Sequence, residues 1–124
     1  MDFKLELVFV PVSDVDRAIK FYEKQVGFHL DHDHTVNENL RFVQLTPHGS
    51  GCSIALGRGL NPMEPGQQKG LQLVVKDARA AHDKLKRAGV EVTEGIDDLP
   101  WGKFFFFKDP DENAWSVQEV PARG

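Results

Sequence analysis

Residues 10–28 read VPVSDVDRAIKFYEKQVGF. They close a strand-like run, Leu5 to Val12 (LELVFVPV), rich in Val, Leu and Phe. Ser13 supplies a helix cap, and Asp14 and Asp16 suit the positive end of the helix dipole. Val15, Ala18, Ile19, Tyr22 and Val26 recur at helical spacing, and Gly27 ends the helix.

The same order returns at residues 70–92, GLQLVVKDARAAHDKLKRAGVEV. A strand-like run (71–76) leads to a capping Asp77. Ala78, Ala81, Leu85 and Ala88 form a helical stripe, and Gly89 closes it. Three strand-like runs follow each glycine: 28–36, 40–46 and 52–57 in the first half, then 90–94, 103–107 and 114–120 in the second. Between the halves lies GLNPMEPGQQKG (59–70), whose three glycines and two prolines mark a loop. The chain therefore reads as βαβββ twice. The first module spans about 4–58, a linker covers 59–70, and the second module spans about 71–121, all within one domain.

Composition bounds the function. The 124 residues carry 40% hydrophobic content, enough for a core without covalent staples. A single cysteine, Cys52, excludes an intramolecular disulfide and a four-cysteine zinc site. The net charge of −4 argues against a nucleic-acid partner, which would need a basic stripe. No apolar run is long enough to span a membrane, and Met1-Asp2-Phe3-Lys4 lacks the features of a signal peptide. The expectation is a soluble, cytoplasmic protein.

The segments at 10–28 and 70–92, together with FKDPDENAWSVQEV (107–120), resemble the vicinal oxygen chelate superfamily. That superfamily includes glyoxalases, bleomycin resistance proteins and extradiol dioxygenases. The resemblance implies an α+β fold, in which two tandem βαβββ modules form an open, curved sheet around a cavity with the helices outside. It also implies a homodimer and, in the enzymes, one divalent metal in the cavity. The corresponding positions here are Leu7, Leu71, Ala55 and Ser116. None offers the nitrogen or carboxylate donors a divalent ion needs, so the sequence is read as a metal-free member without cofactors. Glu112 departs from the superfamily's usual glycine, and Asn113 or a different turn is expected to absorb the bend.

Strand alternation extends the cavity lining to Leu5, Phe9, Leu73, Ser53, Ala114 and Gln118, with Gln44 beside them. It turns Val8, Val10, Val12, Val74, Trp115 and Val117 toward the helices. Phe104 to Phe107 is a run of four phenylalanines that must split between the two faces, with Trp101 just before it. The ligand-binding set expected from the sequence is Phe9, Gln44, Ser53, Trp101, Phe104, Phe106, Ser116 and Gln118. It suits an apolar or aromatic small molecule oriented by a few hydrogen bonds. The leading expectation is a metal-independent binding protein of the bleomycin-resistance type. One alternative is a glyoxalase- or dioxygenase-like enzyme with a metal on His32 and His34, which alternation places on one face opposite Asp31 and Asp33. Another is a non-catalytic regulatory homodimer whose cavity the phenylalanines fill. His82, near the apolar stripe of the second helix, is expected to be a helix-surface or helix–sheet packing residue rather than a base.

Overall fold

The computed structural model describes residues 1–121. β1 (Leu7–Phe9) leads into α1 (Val15–Ile19), which continues without a break as a π-helical stretch (Lys20–Val26). β2 (His29–Asn37), β3 (Leu40–Thr46) and β4 (Ser53–Arg58) complete the first unit. β5 (Leu71–Val75), α2 (Ala78–Arg87), β6 (Asp97–Leu99), β7 (Gly102–Lys108) and β8 (Ala114–Glu119) form the second. The sheets have the orders β1-β4-β3-β2 and β5-β8-β7-β6, the same pattern twice. In each, the first and last strands pair in parallel and the rest are antiparallel. The α+β architecture of two open βαβββ units is as expected.

Local chemistry explains the elements. Asp14, not Ser13, caps the first helix, its carboxylate accepting from Arg17 N at 3.0 Å. Asp77 does the same for Ala80 N in the second unit. Ser13 instead donates through its N–H and hydroxyl to the Asp111 carboxylate, at 3.1 and 2.6 Å, and so ties the two units together. Glu112 itself takes the left-handed conformation at φ 69°, so the bend falls where the superfamily has glycine and not at Asn113.

One core serves both units. Val10, Val43, Leu45, Ile54 and Leu56 of the first sheet join Phe105, Phe107, Trp115 and Val117 of the second around the helices. The ring of Trp115 stacks on Phe107 (5.8 Å) and meets Phe28 edge-on (5.9 Å). The Tyr22 hydroxyl, fully buried, donates to Asp109 Oδ2 (2.7 Å) and accepts from Trp115 Nε1 (2.9 Å). Asn113 donates from Nδ2 to the Pro11 carbonyl (2.7 Å) and to Asp109 Oδ2 (2.8 Å). Burial, followed by the Asp109 carboxylate, pushes the Tyr22 phenol far up, so it stays a donor. The helices thus cover one face of each sheet and leave the other open.

Two expectations fail in the second unit. Residues 90–94 are not a strand. Val92 makes a lone bridge to Phe107, and regular pairing with β7 resumes only at Asp97–Leu99. The cause lies at Thr93, whose carbonyl accepts from His82 Nε2 (2.6 Å) rather than from the ladder; Thr93 Oγ1 accepts from Phe106 N instead (3.0 Å). His82 is buried, edge-on to Phe105 at 5.2 Å, as a helix–sheet packing residue.

The second failure is the register of β5. Leu71 pairs with Trp115 and Leu73 with Val117, so both leucines turn to the core, while Gln72 and Val74 take the open face. The one-residue slip reverses every side chain of that strand. Leu5 lies before β1 and is exposed.

Candidate functional site

The open face of the first sheet is built in rows across its strands. Leu7 lies beside Ser53, and Ser53 touches Thr46. The next row runs Phe9, Ala55, Gln44 and His32, and the next Gly57, Phe42 and His34. The sequence set Phe9, Gln44 and Ser53 therefore shares one face. His32 and His34 share it too, and Asp33 is on the other side, where Arg41 Nε and Nη2 grip its carboxylate at 2.9 Å each. Arg41 also reaches Asp16 on α1 (3.0 Å). These hydrogen bonds push Arg41 up and hold Asp33 below the usual carboxylate range.

Asp31 does not follow Asp33. A register shift between Leu30 and His32 turns it onto the open face. There it accepts from the Thr46 hydroxyl, from Gln44 Nε2 (3.4 Å) and from His29 Nδ1 (2.8 Å). The Thr46 hydrogen bond, with His29 next, holds Asp31 below the ordinary carboxylate range. Thr46 Oγ1 lies 2.6 Å from Ser53 Oγ, and Gln44 Nε2 reaches Ser53 Oγ at 3.4 Å.

On the second sheet, Phe104 faces Gln118 and Phe106 faces Ser116, so all four share the open face with Gln72 and Val74. Phe105 and Phe107 go to the core. Phe104 is buried on its face, whereas Phe106 is 43% exposed and Trp101 is 62% exposed. A polar chain runs beneath them. The Ser116 hydroxyl donates to Gln72 Oε1 (2.9 Å), Gln72 Nε2 to Gln118 Oε1 (2.9 Å), and Gln118 Nε2 to the Trp101 carbonyl (2.9 Å). That carbonyl can only accept, which fixes the orientation of both amides.

Two grooves adjoin these faces. One of about 340 Å³ runs past Phe106, Ala114, Thr93, Glu91 and Glu94. The other, about 270 Å³, lies between the units, with Leu5, Cys52 and Ser53 on one wall and Gly70, Leu71 and Gln72 on the other.

The structure brings all eight sequence-chosen residues to the open faces or their rim, and adds Asp31, Thr46, Gln72 and Val74. Gln72 and Val74 were readable. Leu7 stands seven residues before Asp14, and the residue seven before Asp77 is Gly70, which puts even numbers on the open face. The bulge that turns Asp31 left no such signal.

The positions where the resemblance implies metal ligands offer Leu7, Ala55 and Ser116; Leu71 turns to the core, and its neighbours in the chain are Gly70 and Gln72. That set of neutral and apolar groups does not suit a divalent ion. Among the described residues, no three His, Cys, Asp or Glu side chains converge on one point, so His32 and His34 gain no third ligand.

Paired βαβββ units that share a core and leave two open sheet faces lined by amides, hydroxyls and aromatics define a recognisable architectural class. The chain belongs to the Glyoxalase/Bleomycin resistance protein/Dioxygenase superfamily, whose family model matches residues 4–117. It is similar to TnmS3, an antibiotic binding protein from Streptomyces sp. CB03234. The two are 34% identical with a TM-score of 0.87, over 97% of this chain and 98% of that one. A glyoxalase/bleomycin resistance protein from the same Streptomyces strain is 36% identical with a TM-score of 0.81, over 93% of this chain and 99% of its own. The uncharacterised protein YetH of Bacillus subtilis (strain 168) is 26% identical over 117 residues, 90% of this chain and 94% of YetH. Among the described residues, no helix is long and apolar enough to cross a membrane.

Proposed function

We propose that this chain is a metal-independent small-molecule binding protein that holds an apolar or aromatic ligand against the open faces of its sheets. The observation that carries the reading is the second face. Phe106 and Val74, 43% and 67% exposed, stand beside an amide chain whose orientation is fixed, with Trp101 at its rim. Exposed aromatics next to a few oriented polar groups are the usual lining of a site for planar organic molecules. The description of TnmS3 as antibiotic-binding, at 34% identity over nearly the whole chain, supports the same reading. The poor donor set at Leu7, Ala55 and Ser116, with Gly70, Leu71 and Gln72 opposite, gives no support to metal-assisted chemistry at those positions.

We further propose that a second copy of the chain covers part of these faces. Val74, Leu99 and Phe106 are exposed on one face of the second sheet with Trp101 at its rim, a grouping that a partner surface would cover. Sedimentation analysis giving a monomer at every concentration up to the millimolar range contradicts the dimer.

Trp101 reports on binding directly. It is 62% exposed while Trp115 is buried, so a ligand at the second face changes the emission of one indole only. A panel of aromatic compounds is titrated against the wild type and Trp101→Phe. Saturable quenching in the wild type, with a matching rise in melting temperature, supports the reading. A panel that neither quenches nor stabilises refutes it.

A further inference from the structure

The open face of the first sheet is organised around one carboxylate. A carboxylate accepts and cannot donate. The Thr46 hydroxyl therefore spends its only hydrogen on Asp31 Oδ2. Ser53, 2.6 Å from Thr46 Oγ1, must then donate to it. Gln44 turns its amide nitrogen to both Ser53 Oγ and Asp31 Oδ2, and His29 Nδ1 lies 2.8 Å from Asp31 Oδ1. The hydrogens of this patch point inward. What it presents outward is acceptors: the remaining lone pairs of Asp31, whose side chain is 23% exposed, and the carbonyl oxygen of Gln44.

The charges of the first sheet are sorted in the same sense. Its two basic residues, Arg41 and Arg58, pair across β3 and β4 on the helix side, and Arg41 is engaged by Asp33 and Asp16. Among the described residues, this sheet's strands carry no lysine or arginine on the open face, where their titratable groups are Asp31 and the imidazoles of His29, His32 and His34. The rows beside the patch supply apolar surface in Phe9 and Phe42, both half-buried, over the fully buried Ala55.

We propose that Asp31 is the polar anchor of the ligand site, selecting aromatic molecules that carry a protonated amine. The N–H groups of the amine meet Asp31 and the Gln44 carbonyl oxygen, and the ring lies on Phe9 and Phe42. This rests on the small-molecule reading above and adds the charge and polarity of the ligand. A ligand carboxylate at the same place would face acceptors only.

The test uses three probes on one ring skeleton: naphthylmethylamine, naphthoate and neutral naphthalenemethanol, titrated calorimetrically at neutral pH into wild type, Asp31→Asn and Glu64→Gln. Glu64 is an exposed acid in the linker between β4 and β5, away from both open faces, so its variant corrects for bulk charge. The expected result is an amine bound about tenfold or more tighter than naphthoate by the wild type, the size of one charge-assisted hydrogen bond. Asp31→Asn loses about tenfold for the amine, and Glu64→Gln changes it less than about twofold. Equal affinity for amine and naphthoate in the wild type overturns the assignment whatever the variants do, and so do equal losses in the two variants. Binding of the neutral alcohol alongside either result leaves the general binding reading intact. Silence of all three probes overturns both.

Discussion

Replacing Tyr22 by Phe removes one oxygen atom and tests how the two units are joined. The Tyr22 hydroxyl sits at zero exposure between the Asp109 carboxylate of the second unit and the indole N–H of Trp115. Its loss removes a hydrogen bond to a charged group, about 1.5–3 kcal/mol, and leaves a buried indole N–H without a partner, about 1–3 kcal/mol. Asp109 keeps its bonds from Asn113 and Asp111, so the two terms overlap rather than add, and about 3 kcal/mol is expected. With 124 residues at about 2.1 cal/mol/K each, the unfolding entropy is about 0.26 kcal/mol/K, which converts 3 kcal/mol to a melting-point drop of about 12 °C. The assay is thermal and urea unfolding followed by near-UV circular dichroism and Trp115 emission. A drop below about 4 °C, or separate transitions for the two probes in the wild type, would refute the claim that this network fastens one shared core.

Glu112→Gly relieves a left-handed residue that costs about 1–2 kcal/mol, and after the entropy of glycine the net gain is about 1 kcal/mol, a rise of about 4 °C in Tm. Arg41→Lys cannot reproduce the two-pronged grip on Asp33 and the reach to Asp16, and a loss of about 1 kcal/mol is expected from urea midpoints. Asp31 contributes to stability through its lowered pKa. That contribution is complete above the unfolded carboxylate value of about 3.9 and is lost as pH falls through the folded one. Urea midpoints of the wild type should therefore fall more steeply than those of Asp31→Asn on going from about pH 5 to about pH 2; parallel curves would contradict the assignment.

The repeat was legible because its signals are chemical and local. Asp14 and Asp77 each cap a helix, and Gly27 and Gly89 each close one in a left-handed conformation. In the first sheet, Val8, Val10 and Val12 alternate with residues of the other face and set the register plainly. LQLVV in β5 does not: leucines and valines occupy both parities, so the hydrophobic pattern alone allowed either face, and the distance to Asp77 was the deciding signal. Residues 90–94 have strand composition but keep only an isolated bridge to β7, with Thr93 N donating to the Phe106 carbonyl (2.9 Å), because a tertiary competitor, the buried His82, takes the Thr93 carbonyl. Alternation puts Asp31 on the helix side with Asp33, because it cannot anticipate the bulge that turns Asp31 to the open face. The aromatic half of the candidate site was thus readable from spacing. The carboxylate half depends on one irregularity in β2.

The central claim is that ligands meet the open faces of the two sheets. The most direct test follows amide signals by two-dimensional NMR while an aromatic ligand from the binding panel is titrated in. The account predicts saturable shifts of the side-chain amides of Gln44, Gln72 and Gln118 and of the backbone at Phe106 and Trp101, with the outer surfaces of α1 and α2 unmoved. Shifts confined to the helices, or none at saturating ligand, would contradict it.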